Sequence, residues 1–433
     1  MKSCPSCQRT FPNDAGFCPN DGTALVFTSL VPIAPAGDDP RLGARLAGRY
    51  EIRRVVADGG MGRVYEGVDK QTDSRVAVKV LHDDVSRDDV SLERFKREYQ
   101  ISAKLPHDHI VKVSDFQQDT TSKVWMLVME FLDGEELRVV LKRDKFLSPE
   151  KLVRMMSQTA IGLDAAHALQ FVHRDLKPDN LFLCGTREGD VVKILDFGSV
   201  KDKNVEAKKL TVLGTTIGSP YYMAPEQAQG LETLDARADV FALAAIAYEC
   251  MTGSVPFGGH NGPSILLAIL TQDPLPPTVK GKDAPHPIPP AMDDVMDLAL
   301  AKNPAHRTAS VGAFADALGR AYGLEGDHRV WATLPEATLA AQIAEARPRV
   351  MAPKVGALEA SVDPFASPAA PTQVAQTSPG VAMDQAFAAA RTAGYNDEPA
   401  GVPSKKQPAW LVPAIVGGVA LLVGIVVVAL LTK

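Results

Sequence analysis

The chain has 433 residues, 45% of them hydrophobic and 23% charged, with a formal net charge of −6. That length holds two or three domains with at least one sizeable core, and the charge lacks the basic surplus that marks nucleic-acid binding. Five cysteines are too few for a disulfide scaffold of this size, and three of them (Cys4, Cys7, Cys18) crowd the N-terminus. This pattern predicts a reducing compartment with a small metal site rather than secretion. The polar start Met1-Lys2-Ser3-Cys4-Pro5 leads into no long apolar run, so it does not read as a secretory signal.

In chain order, residues 1–27 come first, with the knuckles Cys4-Pro5-Ser6-Cys7 and Cys18-Pro19-Asn20-Asp21. They resemble a zinc ribbon, in which one tetrahedral Zn²⁺ welds two turns that have no core of their own. Cys4, Cys7, Cys18 and Asp21 are the candidate ligands; the aspartate stands where a fourth cysteine is usual and binds zinc more weakly among thiolates. A redox pair at Cys4/Cys7 and a metal-free remnant are the other readings. A linker, 28–49, contains Pro32, Pro35, Gly37 and Pro40. Residues 50–322 then alternate strand and helix patterns. Strands are predicted at 50–56, 63–68, 75–81 and 123–131, and a helix over 92–105 with Leu92, Phe95, Tyr99 and Leu105 as packing positions. Helices take over beyond, notably at 149–169 and 239–252. The fold class expected is α+β, with a strand-rich first lobe and a helix-rich second. Residues 323–408 are rich in Ala, Pro, Ser, Thr and Gln, which disfavours a packed core; one short helix at 335–347 is the exception. From Ala409 to Leu431 no residue is charged. About 23 residues at ~1.5 Å each reach roughly 35 Å, enough to cross a ~30 Å hydrocarbon layer, and Trp410 sits where an interfacial aromatic anchors a span.

The chemistry lies in the large region. Between its first two strands stands Ala57-Asp58-Gly59-Gly60-Met61-Gly62-Arg63-Val64. Glycines there let peptide N–H groups approach polyphosphate oxygens, although alone they are weak evidence and read also as a hairpin turn. Lys79 ends the apolar run Val76-Ala77-Val78-Lys79 and needs an anionic partner if its head is partly buried. Glu98, on the next helix, is the natural counter-charge, with nucleotide phosphates as the second. His173-Arg174-Asp175-Leu176-Lys177-Pro178-Asp179-Asn180 gathers carboxylate, ammonium and amide in one short loop. That set suits a hydroxyl nucleophile, a transferring phosphoryl group and Mg²⁺. Asp196-Phe197-Gly198 follows an apolar strand at 191–195, which places one more carboxylate for a metal.

In order, the glycine loop, VAVK, HRDLKPDN, DFG and Ala224-Pro225-Glu226 resemble the protein-kinase signature set. GGMGRVY and Tyr222-Met223-Ala224-Pro225-Glu226-Gln227 resemble the bacterial Hanks-type serine/threonine kinases in particular. The resemblance covers about 270 residues and implies a bilobal kinase fold, with ATP and Mg²⁺. It implies that Gly59, Gly60 and Gly62 cover the phosphates and that Lys79, paired with Glu98, contacts the α/β-phosphates. Asp175 would take the substrate hydroxyl proton, Lys177 would stabilise γ-phosphoryl charge, and Asn180 and Asp196 would hold Mg²⁺. Val64, Ala77 and Phe182 would sandwich adenine, Glu130 and Leu132 would offer hinge backbone groups, and Met129 would be the gatekeeper. Lys177 in HRDLKP points to the serine/threonine class, and Glu226 with Arg307 to the family's structural ion pair. There are two departures. Ala57 replaces the first glycine of the loop, so its Cβ is expected to strain a turn that needs φ > 0 and to weaken ATP binding modestly. Asp239-Val240-Phe241-Ala242-Leu243-Ala244 replaces the family's Asp-x-Trp-Ser-Leu-Gly and is expected to alter packing only.

Arg174 can pair with a phosphate on the activation loop, where Thr211, Thr215 and Thr216 are the candidate acceptors and Ser219 more plausibly lines the substrate site. Lys405 and Lys406 precede the apolar segment and only Lys433 follows it, which keeps the kinase cytoplasmic at a bacterial inner membrane. Ala414/Gly418 and Ala420/Gly424 are small-residue pairs at four-residue spacing, a hint of a homodimer, with lipid-facing packing as the alternative. The implied partners are protein substrates bearing Ser or Thr, membrane lipid and no nucleic acid. The rival functions are a pseudokinase scaffold, against which Lys79, Asp175 and Asp196 are all retained, and a membrane adaptor using the linker as a tether.

Overall fold

The computed structural model describes residues 2–3, 10–11, 26–27, 39–59, 62–197, 220–231 and 233–352. The chain divides into two units, Met1–Ala357 and Leu358–Lys433, and every described residue belongs to the first. Three two-residue strands, β1 (Lys2–Ser3), β2 (Thr10–Phe11) and β3 (Val26–Phe27), pair antiparallel in the order β2-β1-β3. Cys4, Cys7, Cys18 and Asp21 lie between them in sequence but outside the described residues, as does the apolar segment 409–431.

The strand-rich lobe is one antiparallel sheet of β4 (Arg45–Leu46), β5 (Tyr50–Asp58), β6 (Gly62–Asp69), β7 (Ser74–Leu81), β8 (Val113–Gln118) and β9 (Trp125–Glu130), in the order β4-β5-β6-β7-β9-β8. Alternation along β7 explains its two faces. Val76, Val78 and Val80 join Ile52, Tyr65 and Met126 in one core. Leu81, two residues along from Lys79, turns to the opposite face and packs with Phe95, Val113 and Leu127. That second face is covered by α2 (Asp89–Ser102), which follows the single turn α1 (Asp83–Ser86). Asp88 caps α2 by accepting from the Ser91 amide at 3.0 Å, so the helix starts three residues before its apolar pattern does.

The second lobe opens with β10 (Gly134–Glu136), α3 (Leu137–Asp144) and α4 (Pro149–Ala168), followed by the hairpin β11 (Leu181–Cys184) and β12 (Val191–Ile194); β10, β11 and β12 form a small antiparallel sheet. Then come α5 (Pro225–Ala228), α6 (Arg237–Thr252), α7 (Gly262–Thr271), α8 (Pro277–Lys280), α9 (Ala291–Ala299) and α10 (Val311–Ala321). Helix α6 is apolar all round and buried from Ala238 to Tyr248, as expected of a central core helix rather than an amphipathic one. Glu226 and Arg307 close a buried bidentate pair at 2.7 and 3.0 Å. Both free cysteines of this lobe, half-buried Cys184 and buried Cys250, have thiols pushed up by burial.

Past Tyr322 the composition predicts little order beyond one short helix. The helix is there, as α12 (Glu336–Val350), but it is preceded by α11 (His328–Trp331) and docked on the lobe. Trp331 is 0% exposed and Leu339 is equally buried. Average composition missed this because a few large apolar residues, spaced among alanines, supply the whole contact. Among the described residues no helix is long and apolar enough to cross a membrane.

Candidate active site

The first half of the site is built on regular elements. In the β5–β6 hairpin Ala57 stands opposite Val64, and Val64 in turn stands opposite Lys79 on β7. Ala77 is two residues from Lys79 and faces Met129 of β9. Directly opposed and alternate residues share a sheet face, so Ala57, Val64, Ala77, Lys79 and Met129 line one surface. The Gly59 amide donates to the Gly62 carbonyl at 3.1 Å. A Cβ at Gly62 would lie 2.3 Å from the Val80 carbonyl oxygen, so only glycine fits there. Gly60 is outside the described residues. The strain expected at Ala57 does not arise: the residue is an extended ladder position and has no positive φ. Its backbone therefore does not call for glycine.

Lys79 reaches across to α2, with Nζ 3.1 Å from Glu98 Oε2. Burial opposes the ammonium's charge, but the Glu98 and Asp196 carboxylates overcome it and hold the Lys79 pKa above its usual range. Burial likewise raises the Glu98 carboxyl, to about 7, against the pull of Lys79. Asp196 acts on both groups, which brings the metal-ligand candidate into the Lys79–Glu98 cluster.

The second half stands on an irregular loop held by long-range hydrogen bonds. Asp175 Oδ2 accepts from Lys177 Nζ at 2.7 Å, and Asn180 Nδ2 donates to the Asp175 carbonyl at 2.7 Å. Arg174 and Asp196 both adopt positive φ, +66° and +61°, a conformation rare for non-glycine residues. What fixes Arg174 there is Asp239, at the first turn of α6. Its carboxylate accepts from the His173 amide (2.8 Å), the Arg174 amide (2.9 Å) and His167 Nε2 (2.7 Å). Burial works against the charge on Asp239, but those donors hold its pKa below the usual carboxylate range. His173 Nε2 lies 2.9 Å from the Leu195 carbonyl, and its Nδ1 accepts from the Asp175 amide at 3.3 Å. The ring therefore carries its proton on Nε2 and ties the Asp175 loop to the strand entering Asp196. Phe197 is buried edge-on against His173, with centroids 4.8 Å apart.

Between the halves, Glu130 Oε1 accepts from the Lys112 amide and from Lys193 Nζ, both at 2.8 Å. Its side chain is thereby engaged at the lobe junction next to Leu132. Phe182 sits on β11 opposite Glu136 and Lys193. Sequence patterning missed the role of Asp239, whose motif was expected to affect packing alone; a carboxylate opening an all-apolar helix was the available signal. It also missed Arg138, whose guanidinium bridges Asp179 and Glu249 (3.2 Å each) and the Tyr222 hydroxyl (2.6 Å). Gly198, Thr211, Thr215, Thr216 and Ser219 fall outside the described residues. Among the described residues, no group of three or more His, Cys, Asp or Glu is set to hold a metal ion.

Residues 50–318 match the family model described as "Protein kinase domain". The chain belongs to the protein kinase domain family. It is 39% identical over 282 residues to the serine/threonine-protein kinase PknA of Mycobacterium tuberculosis H37Rv, covering 64% of this chain and 62% of that one. To the serine/threonine-protein kinase Pkn1 of Myxococcus xanthus it is 38% identical over 326 residues, or 73% of this chain and 45% of that one. The matches thus span less than two thirds of these relatives. Among solved structures, the M. tuberculosis PknI kinase domain aligns with a TM-score of 0.51 and 28% identity, over 65% of this chain and 99% of that one. The two lobes described above are those of the bilobal kinase fold.

Proposed function

We propose that the chain is an ATP-dependent serine/threonine protein kinase, moving the γ-phosphate of ATP to Ser or Thr hydroxyls of proteins. The observation that carries this reading is the single cluster of Lys79, Glu98 and Asp196, joined by the Leu195–Asn180 backbone bond to a loop that presents Asp175, Lys177 and Asn180. Lys79 would bind the α/β-phosphates, with Glu98 keeping its ammonium in place. Gly59, Gly60 and Gly62 would cover the phosphates, and Val64, Ala77 and Phe182 would enclose adenine beside the Glu130–Leu132 backbone. Asp175 would orient the incoming hydroxyl and take its proton as the oxygen bonds to phosphorus and the bond to ADP breaks. Lys177, 2.7 Å from Asp175, would offset the charge on the transferring group. The work is mainly positioning and electrostatics.

The donors present fit Mg²⁺. Asp196 supplies a carboxylate, and Asn180 is 6% exposed with its Nδ2 committed to the Asp175 carbonyl, so its amide oxygen faces the other way. Hard oxygen donors of this kind suit magnesium, which when bound neutralises phosphate charge. Transfer of labelled phosphate by the full chain should fall on the order of 10²–10⁴-fold in Asp175→Ala. Equal labelling by wild type and variant would leave the scaffold reading.

The finer assignments belong to the same proposal. Arg174, with its Nε buried and its charge disfavoured by that burial, supports phosphorylation at Thr211, Thr215 or Thr216, testable by intact mass after ATP treatment. The Cys4, Cys7, Cys18 and Asp21 knuckles support one Zn²⁺, which elemental analysis would count. The uncharged run at 409–431 supports a single membrane span with the kinase cytoplasmic, and small-residue pairs within it support a homodimer. Membrane fractionation and cross-linking would test these.

A further inference from the structure

We infer that residues 324–350, beyond the part of the chain matched by the family model, form a strap that positions β12 and through it Asp196, with Gln158 as its clip. The inference rests on the kinase reading for what Asp196 does.

Gln158, on α4, is 1% exposed. Its Oε1 accepts from the Val192 amide at 2.7 Å, while its Nε2 donates to the carbonyls of Asp190 (3.2 Å) and Ala332 (3.1 Å). One side chain thereby joins the β11–β12 turn, strand β12 and the strap. Arg154, one helical turn away, repeats the arrangement, with Nε on the Asp190 carbonyl at 3.2 Å and Nη1 on the Leu334 carbonyl. From the strap itself, Glu336 Oε1 accepts from the Asp190 amide and the Glu336 amide donates to the Glu188 carbonyl, both at 2.9 Å. The backbone of Asp190 is therefore bonded on both sides. Gly189 adopts φ +115°, and a Cβ there would lie 2.5 Å from the Glu336 side chain, so turn and strap fit closely.

The strap is itself anchored. Trp331 is fully buried, donates from its indole to the Glu325 carbonyl at 2.9 Å, and lies so near Gly319 that a Cβ there would be 2.1 Å from the ring. His328 bonds Asp316 Oδ1 through its amide (2.7 Å) and Nδ1 (2.8 Å). At the other end of β12, the Leu195 amide donates to the Asn180 carbonyl at 2.9 Å. The strand clipped at Asp190 and Val192 thus terminates at both candidate magnesium ligands. A buried amide deprived of one partner leaves an unsatisfied donor, so releasing the strap should loosen β12 rather than let it rearrange.

The test uses the full chain with Gln158→Ala and the milder, half-buried Glu336→Ala. Thr278→Ala, which removes the hydrogen bond from the Thr278 hydroxyl to Asp293 Oδ2 at 2.6 Å, serves as a control for general destabilisation. Amide hydrogen exchange at 192–195 should quicken at least tenfold in both strap variants and not in the control. Calorimetry with ADP should show a three- to tenfold weaker affinity when Mg²⁺ is present and an unchanged affinity when it is chelated. Unchanged exchange at 192–195, or an equal loss of ADP affinity with and without Mg²⁺, would overturn the inference and leave the strap a fastener only. Absence of phosphoryl transfer by the wild type would remove the kinase reading, while the exchange measurement still decides the strap.

Discussion

The two halves of the cleft are built differently. Lys79 and Glu98 ride on a strand and a helix, positioned by alternation and by a capped helix start. Asp175, Lys177 and Asn180 stand on an irregular loop, and the carboxylate that fixes it, Asp239, comes from more than sixty residues away in sequence. Local pattern suffices for the first arrangement. The second exists only once the helical core has formed, because a buried carboxylate holding two peptide N–H groups has no counterpart in short-range propensity.

Breaking the core of the helical lobe should have the largest effect. Arg307→Met strands Glu226 as an unpaired buried charge and should cost about 3–5 kcal/mol in urea unfolding. Asp239→Ala leaves the His173 and Arg174 amides without an acceptor. It should cost about 2–4 kcal/mol and lower phosphoryl transfer more than ATP affinity. A smaller effect tests the lobe junction. Burial lowers the pKa of His107 and of His109, whose Nδ1 lies 3.1 Å from the Val192 carbonyl. A histidine kept neutral on folding takes up its proton only when unfolded, so stability should be lost as pH falls through about 6.5, the ordinary value. Thermal midpoints from pH 7.5 to 5.5 should fall more steeply for wild type than for His109→Gln. At the bottom of the scale, Arg54→Ala breaks an exposed pair with Glu66 at 2.6 Å and should leave the unfolding midpoint within error. A large shift there would mean that the strand lobe, too, relies on its charges.

The same contrast explains what could be read in advance. The Lys79–Glu98 pair and the placing of Asn180 beside Asp175 were legible because the motifs follow one another in order along the chain, whereas the glycine loop alone would also have read as a hairpin turn. The strands at 50–58 and 74–81 were legible, over 50–56 and 75–81, from their runs of apolar and β-branched residues. Asp239 was seen but its purpose was not, since its partners are peptide N–H groups, which every sequence has. The strap was missed for a related reason: Gln158 bonds only to backbone, and alanine-rich composition hid Trp331. Ala57 erred in the other direction, because a family's glycine was taken to imply a left-handed backbone that the β5–β6 ladder does not contain.

One practical consequence follows from the two cysteines of the helical lobe. Sulfur attacks as thiolate, and burial disfavours the thiolate of both half-buried Cys184 and buried Cys250. Brief maleimide labelling of the native protein should therefore pass them by. Dye uptake in the first moments, with and without a chelator, would then report chiefly the N-terminal sulfhydryls.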